Sequence, residues 1–323
     1  MDPATLLDAR LLVVTGKGGT GKTTVAAALA LAAARKGHQV LLAEVEGRQG
    51  LARLFGAPAL AHEPAALGER LDGIAPEPRA ALREHLDRLG VPLLAGLLDG
   101  TGLGELLTAA APGLADALLL GTLADHAASL VVLDAPPSGR VTAFLRAPAT
   151  AAGLARIGPA GERVEQVAGL LADPALTRVV LTVVPEALPV TEALETAAAL
   201  EAAGFALGLA VADRVEEAGP GVDTGRLAAL ARDPAPLLAA AGRHGLALGA
   251  DAARALVAEG VERRRRLADQ DRLLERLRAG LGAGVAELPL LPRGAAGPVA
   301  VRALARRLGG LGPGARRPRG AAR

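Results

Sequence analysis

An α/β fold, with a mostly parallel sheet, helices on both of its faces and an inserted helical subdomain, is predicted by three features of the 323-residue chain. Short, almost wholly apolar runs recur between longer Ala- and Leu-rich stretches, and such runs lack the polar alternation of a half-solvated sheet. The first run passes directly into a glycine-rich loop and then into a helical stretch, 25–36. A later run, 130–134, ends in Asp134, at the strand edge where open α/β sheets place ligand-binding groups. Taken in order, strands are expected at 11–15, 40–45, 130–134, 178–184, 206–212 and 285–288. Segments 62–128 and 215–281 are too long for simple connections, and each reads as several helices. The expectation is one domain over 10–310, with helical insertions at about 56–128 and 215–281. A basic Gly/Pro/Arg tail, 311–323, is expected to be disordered.

Composition narrows the functions. Hydrophobic residues make up 51% of the chain, enough for a sizeable core. Cysteine is absent, which removes disulfides, thiolate metal sites and cysteine catalysis. Phe55, Phe144 and Phe205 are the only aromatic side chains of the Phe, Tyr and Trp class, so stacking of single-stranded nucleic acid is not expected. The five histidines show no ligand spacing, and no zinc is expected. Without a long uninterrupted apolar stretch or a signal-like start, the chain reads as a soluble cytoplasmic protein.

Lysine carries the sharpest compositional signal. Three lysines stand against 33 arginines, and two of them, Lys17 and Lys22, lie in one loop, Gly16-Lys17-Gly18-Gly19-Thr20-Gly21-Lys22-Thr23-Thr24. A chain that uses Arg wherever a generic charge suffices keeps Lys where a compact ammonium is needed. Gly16, Gly21, Lys22 and Thr23 satisfy G-x-x-x-x-G-K-[ST] between a strand and a helix, the P-loop NTPase arrangement. Glycines let consecutive N–H groups curl around phosphate oxygens, while Lys22 reaches the β- and γ-phosphates of ATP and the Thr23 hydroxyl ligates Mg²⁺. A Gly-rich turn with a solvated lysine is the plainer alternative.

Two acidic constellations follow. Asp134 would hold Mg²⁺ directly or through water, or else be a turn-forming Asp before proline. In Glu44-Val45-Glu46-Gly47-Arg48-Gln49, strand alternation would put Glu44 and Glu46 on one side, where one of them could orient a water or sense the metal-bound phosphate. The alternative is a pair of solvated acids beside Arg48.

Read together, GKGGTGKTT, LLAEVEGRQGLARLF, APGLADALLLGTLAD, VVLDAPPSGRVTAFLRAP and VVPEALPVTEAL resemble, in that order, the arsenical-pump and tail-anchored-protein-targeting ATPase family. The resemblance runs from about 10 to about 310 and is nearest to single-core actinobacterial members. MinD/ParA proteins share the first motif, but the D-x-P-P-[ST]-G-x-x-x-x-F-L-x-x-P pattern over 134–148 favours the former family. The resemblance implies a Mg²⁺-dependent ATPase that closes on nucleotide as a homodimer, or as a heterodimer with a paralogue, and handles a client or partner protein. It implies Lys17, Glu46 and Asp134 as catalytic, with Lys17 reaching the partner's phosphates. Gly16 to Thr24 would hold nucleotide, Thr23 and Asp134 the metal, and a helical subdomain within 56–128 and 150–172 the client.

Departures from the family pattern are specific. Its usual Asp-Pro-Ala-His is Glu46-Gly47-Arg48-Gln49 here, so the carboxylate gains a methylene. Cysteines that bind arsenite or zinc are missing, which argues against both. Met1 is the only methionine, so no Met-rich client groove is visible, and the leucines within 93–120 could line a groove or an ordinary core. Asp213 replaces the Asn that reads adenine, with ATP use expected to persist. A positioning switch on membrane or DNA, and a low-turnover nucleotide-binding scaffold, are the alternative functions.

Overall fold

The computed structural model describes residues 3–88, 113–127, 129–152, 159–217, 223–292 and 294–309. After a 3-10 turn at Pro3–Asp8, the chain runs β1 (Leu11–Gly16), α1 (Lys22–Arg35), β2 (Val40–Glu44), α2 (Gly50–Phe55), β3 (Ala65–Gly68), β4 (Leu71–Ile74), α3 (Pro78–Arg88), α4 (Leu114–Asp125), β5 (Leu130–Asp134) and α5 (Ser138–Ala152). It continues with α6 (Pro159–Ala172), β6 (Thr177–Val183), α7 (Ala187–Ala202), β7 (Leu207–Val215), α8 (Thr224–Arg232), α9 (Ala235–Arg243), α10 (Ala250–Gly280), β8 (Gly284–Pro289) and α11 (Gly297–Gly309).

The strands form one eight-stranded sheet in the order β3-β4-β2-β5-β1-β6-β7-β8. All neighbouring pairs are parallel except β3 with β4. The apolar runs explain why both faces are covered. In β1, Leu12 and Val14 enter one core, with α1, α2 and α11, whereas Leu11 and Val13 enter the other, with α4, α5, α6, α7 and α10. Strands β2 and β5 divide in the same way: Leu42 and Val132 on the first face, Leu41 and Val131 on the second. Alternating side chains therefore bind two helical layers to one sheet. Alanines 26–28, 30 and 32–34 of α1 are all buried, so that this good helix former also lies close to the strands.

The six expected strands are present, with ends shifted by at most three residues. One expectation is overturned: segment 62–128 is not helical from its start, because β3 and β4 form an antiparallel hairpin there. Its turn passes through Arg70 at φ 56, a conformation usually marked by Gly or Asn, so the residue at that position gives no turn signal. Segment 215–281 contains the end of β7 and then α8, α9 and α10. The tail at 311–323 and the part of the leucine-rich run before Gly113 lie outside the described residues. Among the described residues, no helix is long and apolar enough to cross a membrane.

Candidate active site

The centre of the sheet ends at the glycine-rich loop. At its entry, a Cβ on Gly16 would collide with the Thr182 carbonyl of β6; at its exit, Gly21 stands at φ 84 and a Cβ there would strike the Asp213 carboxylate. These two glycines are required by close approach, and the second also by backbone conformation. Helix α1 begins immediately afterwards at Lys22, aiming its N-terminal N–H groups and positive dipole end into the loop. Buried threonines fix the loop from below. The Thr20 and Thr182 hydroxyls lie 2.8 Å apart. Thr20 also reaches the Lys17 carbonyl at 2.8 Å, and Thr182 the Thr15 carbonyl at 3.1 Å. Thr15 in turn donates to the Pro136 carbonyl at 2.7 Å, tying the loop to the turn after Asp134.

On one side of the loop lies a buried carboxylate cluster. The Thr23 hydroxyl donates to Asp134 Oδ2 at 2.6 Å. Strand register places Glu44 of β2 directly opposite Asp134 of β5. Glu44 Oε2 accepts from the Leu51 N–H at 2.9 Å, at the start of α2. Among the described residues, only three buried side-chain N or O atoms lack a hydrogen-bond partner: Glu44 Oε1, Asp134 Oδ1 and Glu192 Oε2. All three are carboxylate oxygens around this loop, where desolvation without a partner is costly. Burial pushes the Asp134 pKa from its ordinary 3.8 up to about 6; Glu44 and Glu46 add to the rise, against the Thr23 hydrogen bond and the Lys22 charge. This set of hydroxyl and carboxylate oxygens is the chemistry a hard divalent cation such as Mg²⁺ takes, and it fits that ion.

On the other side the groups are more open. Lys17 has a side chain 47% exposed and is ion-paired with Glu192 of α7 in the same chain. Lys22 Nζ lies 3.4 Å from the Lys17 carbonyl. Gly18 and Gly19 are exposed at the loop's apex, and Thr24 is half-buried on α1. Arg214 donates to the Gly19 carbonyl, clasping the apex from β7.

Glu46 is placed differently from the sequence expectation. Strand β2 stops at Glu44, so strict alternation does not carry Glu44 and Glu46 onto one face. Glu46 lies in the following turn, 3.4 Å from Arg48, whereas Glu44 is almost wholly buried. Gln49, at φ 54, anchors that turn by exchanging hydrogen bonds with the backbone of Leu60, its amide donating to the carbonyl at 3.0 Å and its oxygen accepting from the N–H at 2.8 Å.

Asp213 and Arg214 occupy a shift in register between Ala212 and Val215 in the β7–β8 pairing, an irregularity of the kind that re-aims side chains beside functional sites. Asp213 is buried against Gly21, with Arg214 Nε 3.6 Å away, and burial raises its pKa in spite of that arginine. The neighbouring cleft, of about 390 Å³, is lined by Val184, Pro185, Arg214, Glu216, Arg266 and Gln270 among others; Asp213 does not line it. Thr182 and Arg214 were not singled out by any motif, and the contacts of Gln49 and Glu192, which lie within the quoted motifs, could not be read from them, since each acts through a partner more than ten residues distant in the chain.

Residues 9–157 match the family model for anion-transporting ATPases. ATPase BagA of Mycobacterium tuberculosis is 39% identical over 228 residues, covering 66% of this chain and 67% of its own. The uncharacterized protein SCO2128 of Streptomyces coelicolor is 35% identical over 150 residues, covering 43% and 37%. ATPase ARSA1 of Chlamydomonas reinhardtii is 26% identical over 173 residues, covering 43% and 22%.

Proposed function

Because the chain belongs to the anion-transporting ATPase family and is an ATP hydrolase, we propose that it works with Mg²⁺ as a nucleotide-closed dimer that handles a partner or client protein. The observation that carries the cation reading is the Thr23–Asp134 hydrogen bond, flanked by two buried carboxylate oxygens without partners. When bound, Mg²⁺ would neutralise phosphate charge and be held by Thr23 and Asp134. The residues of the chain do the rest. The N–H groups of the loop and of α1 hold the β- and γ-phosphate oxygens, and Lys22 turns from the Lys17 carbonyl to them. The cleft beside Arg214 offers room for ribose and base. Glu46, in the turn after β2, accepts a hydrogen bond from the attacking water and orients it in line with the γ-phosphate.

The dimer reading is supported by Lys17. An ammonium half exposed at the loop's edge, tied only by an ion pair, can leave it at low cost for a phosphate on a second copy or a paralogue. The client reading is supported by the helical subdomain, where α3, α4, α5 and α6 enclose a mostly apolar cavity of about 340 Å³ lined by Leu82, Leu114, Leu118, Val164 and Val167. Phosphate release measured with and without Mg²⁺, beside sedimentation with ATP or ADP, tests the proposal. Metal-independent turnover by a species that stays monomeric with ATP would contradict it.

A further inference from the structure

We propose that Glu44 is a second carboxylate of the cation site and the link from the cation to the 46–50 turn; this rests on the Mg²⁺ reading above. Glu44 ends β2 in register with Asp134 and is only 3% exposed. One of its oxygens holds the Leu51 N–H, and the other, Oε1, has no partner. Capping α2 does not account for a carboxylate here. A glutamine would accept the same N–H bond at lower desolvation cost, so the negative charge answers to something else.

The described basic side chains near the loop are directed elsewhere: Lys17 to Glu192, Lys22 to the Lys17 carbonyl, Arg48 to Glu46, Arg214 to Asp213 and the Gly19 carbonyl. No ion pair among the described residues reaches Glu44. The surroundings point instead to the Thr23 end of the loop. A Cβ on Gly50 would lie 3.0 Å from Thr23 Cγ2 and 3.6 Å from Glu44 Oε2, so Gly50 is the thin wall between the hydroxyl-bearing residue and this carboxylate. Mg²⁺ keeps several waters and takes one or two carboxylates, so Glu44 would serve beside Asp134 either directly or through a water. Its bond to Leu51 then transmits the cation's arrival to α2 and to the turn that carries Glu46.

The test uses the full chain with ADP and Mn²⁺, the free metal read by electron paramagnetic resonance. Glu44→Gln keeps the acceptor for Leu51 and removes the charge. It is expected to weaken Mn²⁺ binding about tenfold, or about 1.4 kcal/mol, while metal-free ADP affinity and metal-free Tm stay at or above wild type. Glu44→Asp, which restores charge, should recover part of the loss. Trypsin gives an independent readout at Arg48, whose side chain is 71% exposed. Mn²⁺ with ADP should slow cleavage there in wild type and not in Glu44→Gln. Wild-type Mn²⁺ affinity in Glu44→Gln would overturn the assignment as a metal carboxylate, and equal protection at Arg48 would overturn the link. Absence of Mn²⁺ binding by wild type, or undiminished binding by Asp134→Asn, would instead sink the Mg²⁺ reading and this inference with it.

Discussion

On one side of the phosphate loop, Asp134 and Glu44 end central strands and Thr23, at the start of α1, bonds to Asp134, while on the other Lys17 stands half exposed and is held by Glu192. The two sides bear charge under different physics. Strand register fixes the buried carboxylates, which cannot turn to water, so their unpaired oxygens define what they must meet. The Lys17–Glu192 pair is partly exposed, with a worth of roughly 0–1 kcal/mol for such contacts, although Glu192 Oε2 is itself buried without a partner. The proposed dimer would use such a site as a preset half for the chain's own nucleotide and a releasable half for the partner.

The contrast can be broken most severely at its centre. Lys22→Ala removes the point charge that faces both halves, and turnover should fall by roughly 100-fold or more; phosphate release and a fluorescent ATP analogue would show it. Wild-type nucleotide affinity in that variant would remove the loop from the site.

The buried half has a pH signature. Below its ordinary pKa of 3.8 Asp134 is protonated in both states; between that value and about 6 the unfolded chain has released the proton and the folded chain retains it. Folded stability from this group therefore falls as pH rises across that window, by up to about 3 kcal/mol in the absence of a cation. Asp134→Asn should raise metal-free Tm at pH 7 and flatten the slope between pH 4 and 6, even as turnover collapses. Chemical denaturation across that range measures both effects. A lower metal-free Tm throughout would mean that the carboxylate is stabilised, not strained.

Thr182→Val tests the layer beneath the loop. Removing a buried hydroxyl that serves both Thr20 and the Thr15 carbonyl should cost about 1–2 kcal/mol by denaturant titration and loosen nucleotide binding without abolishing it. The smallest effect belongs to the exposed half. Glu192→Gln should leave stability within about 1 kcal/mol of wild type while letting dimers form at ATP concentrations a few-fold lower, because Lys17 no longer has a competing partner. Sedimentation against ATP concentration would reveal the shift, and a higher ATP requirement would show that Glu192 assists Lys17.

What the sequence revealed follows the same division. The loop 16–24 and Asp134 were legible because their chemistry is local: glycines, a lysine and a strand-ending acid at fixed spacing. The central strands were legible because two-sided burial leaves apolar runs. The hairpin of β3 and β4 escaped notice because its strands have four residues each and its turn uses Arg70. Glu44 and Glu46 were paired by assuming that the strand continued to 45, whereas the chain turns after Glu44 and buries one acid while leaving the other beside Arg48. Glu192 as partner of Lys17, and Arg214 as clasp of the loop, depend on contacts across 175 and 195 residues that no local pattern encodes.

The central claim, a dimer in which Lys17 serves the other chain's site, is tested most directly by mixing two inactive variants, Lys17→Arg and Glu46→Gln. In a mixed dimer, the site on the Lys17→Arg chain has its own Glu46 and receives Lys17 from the partner, while the opposite site carries both defects. Random exchange makes about half the dimers mixed, so phosphate release should recover to about a quarter of wild type in a two-fold dimer with independent sites. No recovery after subunit exchange has been verified would contradict the account and return Lys17 to its own chain.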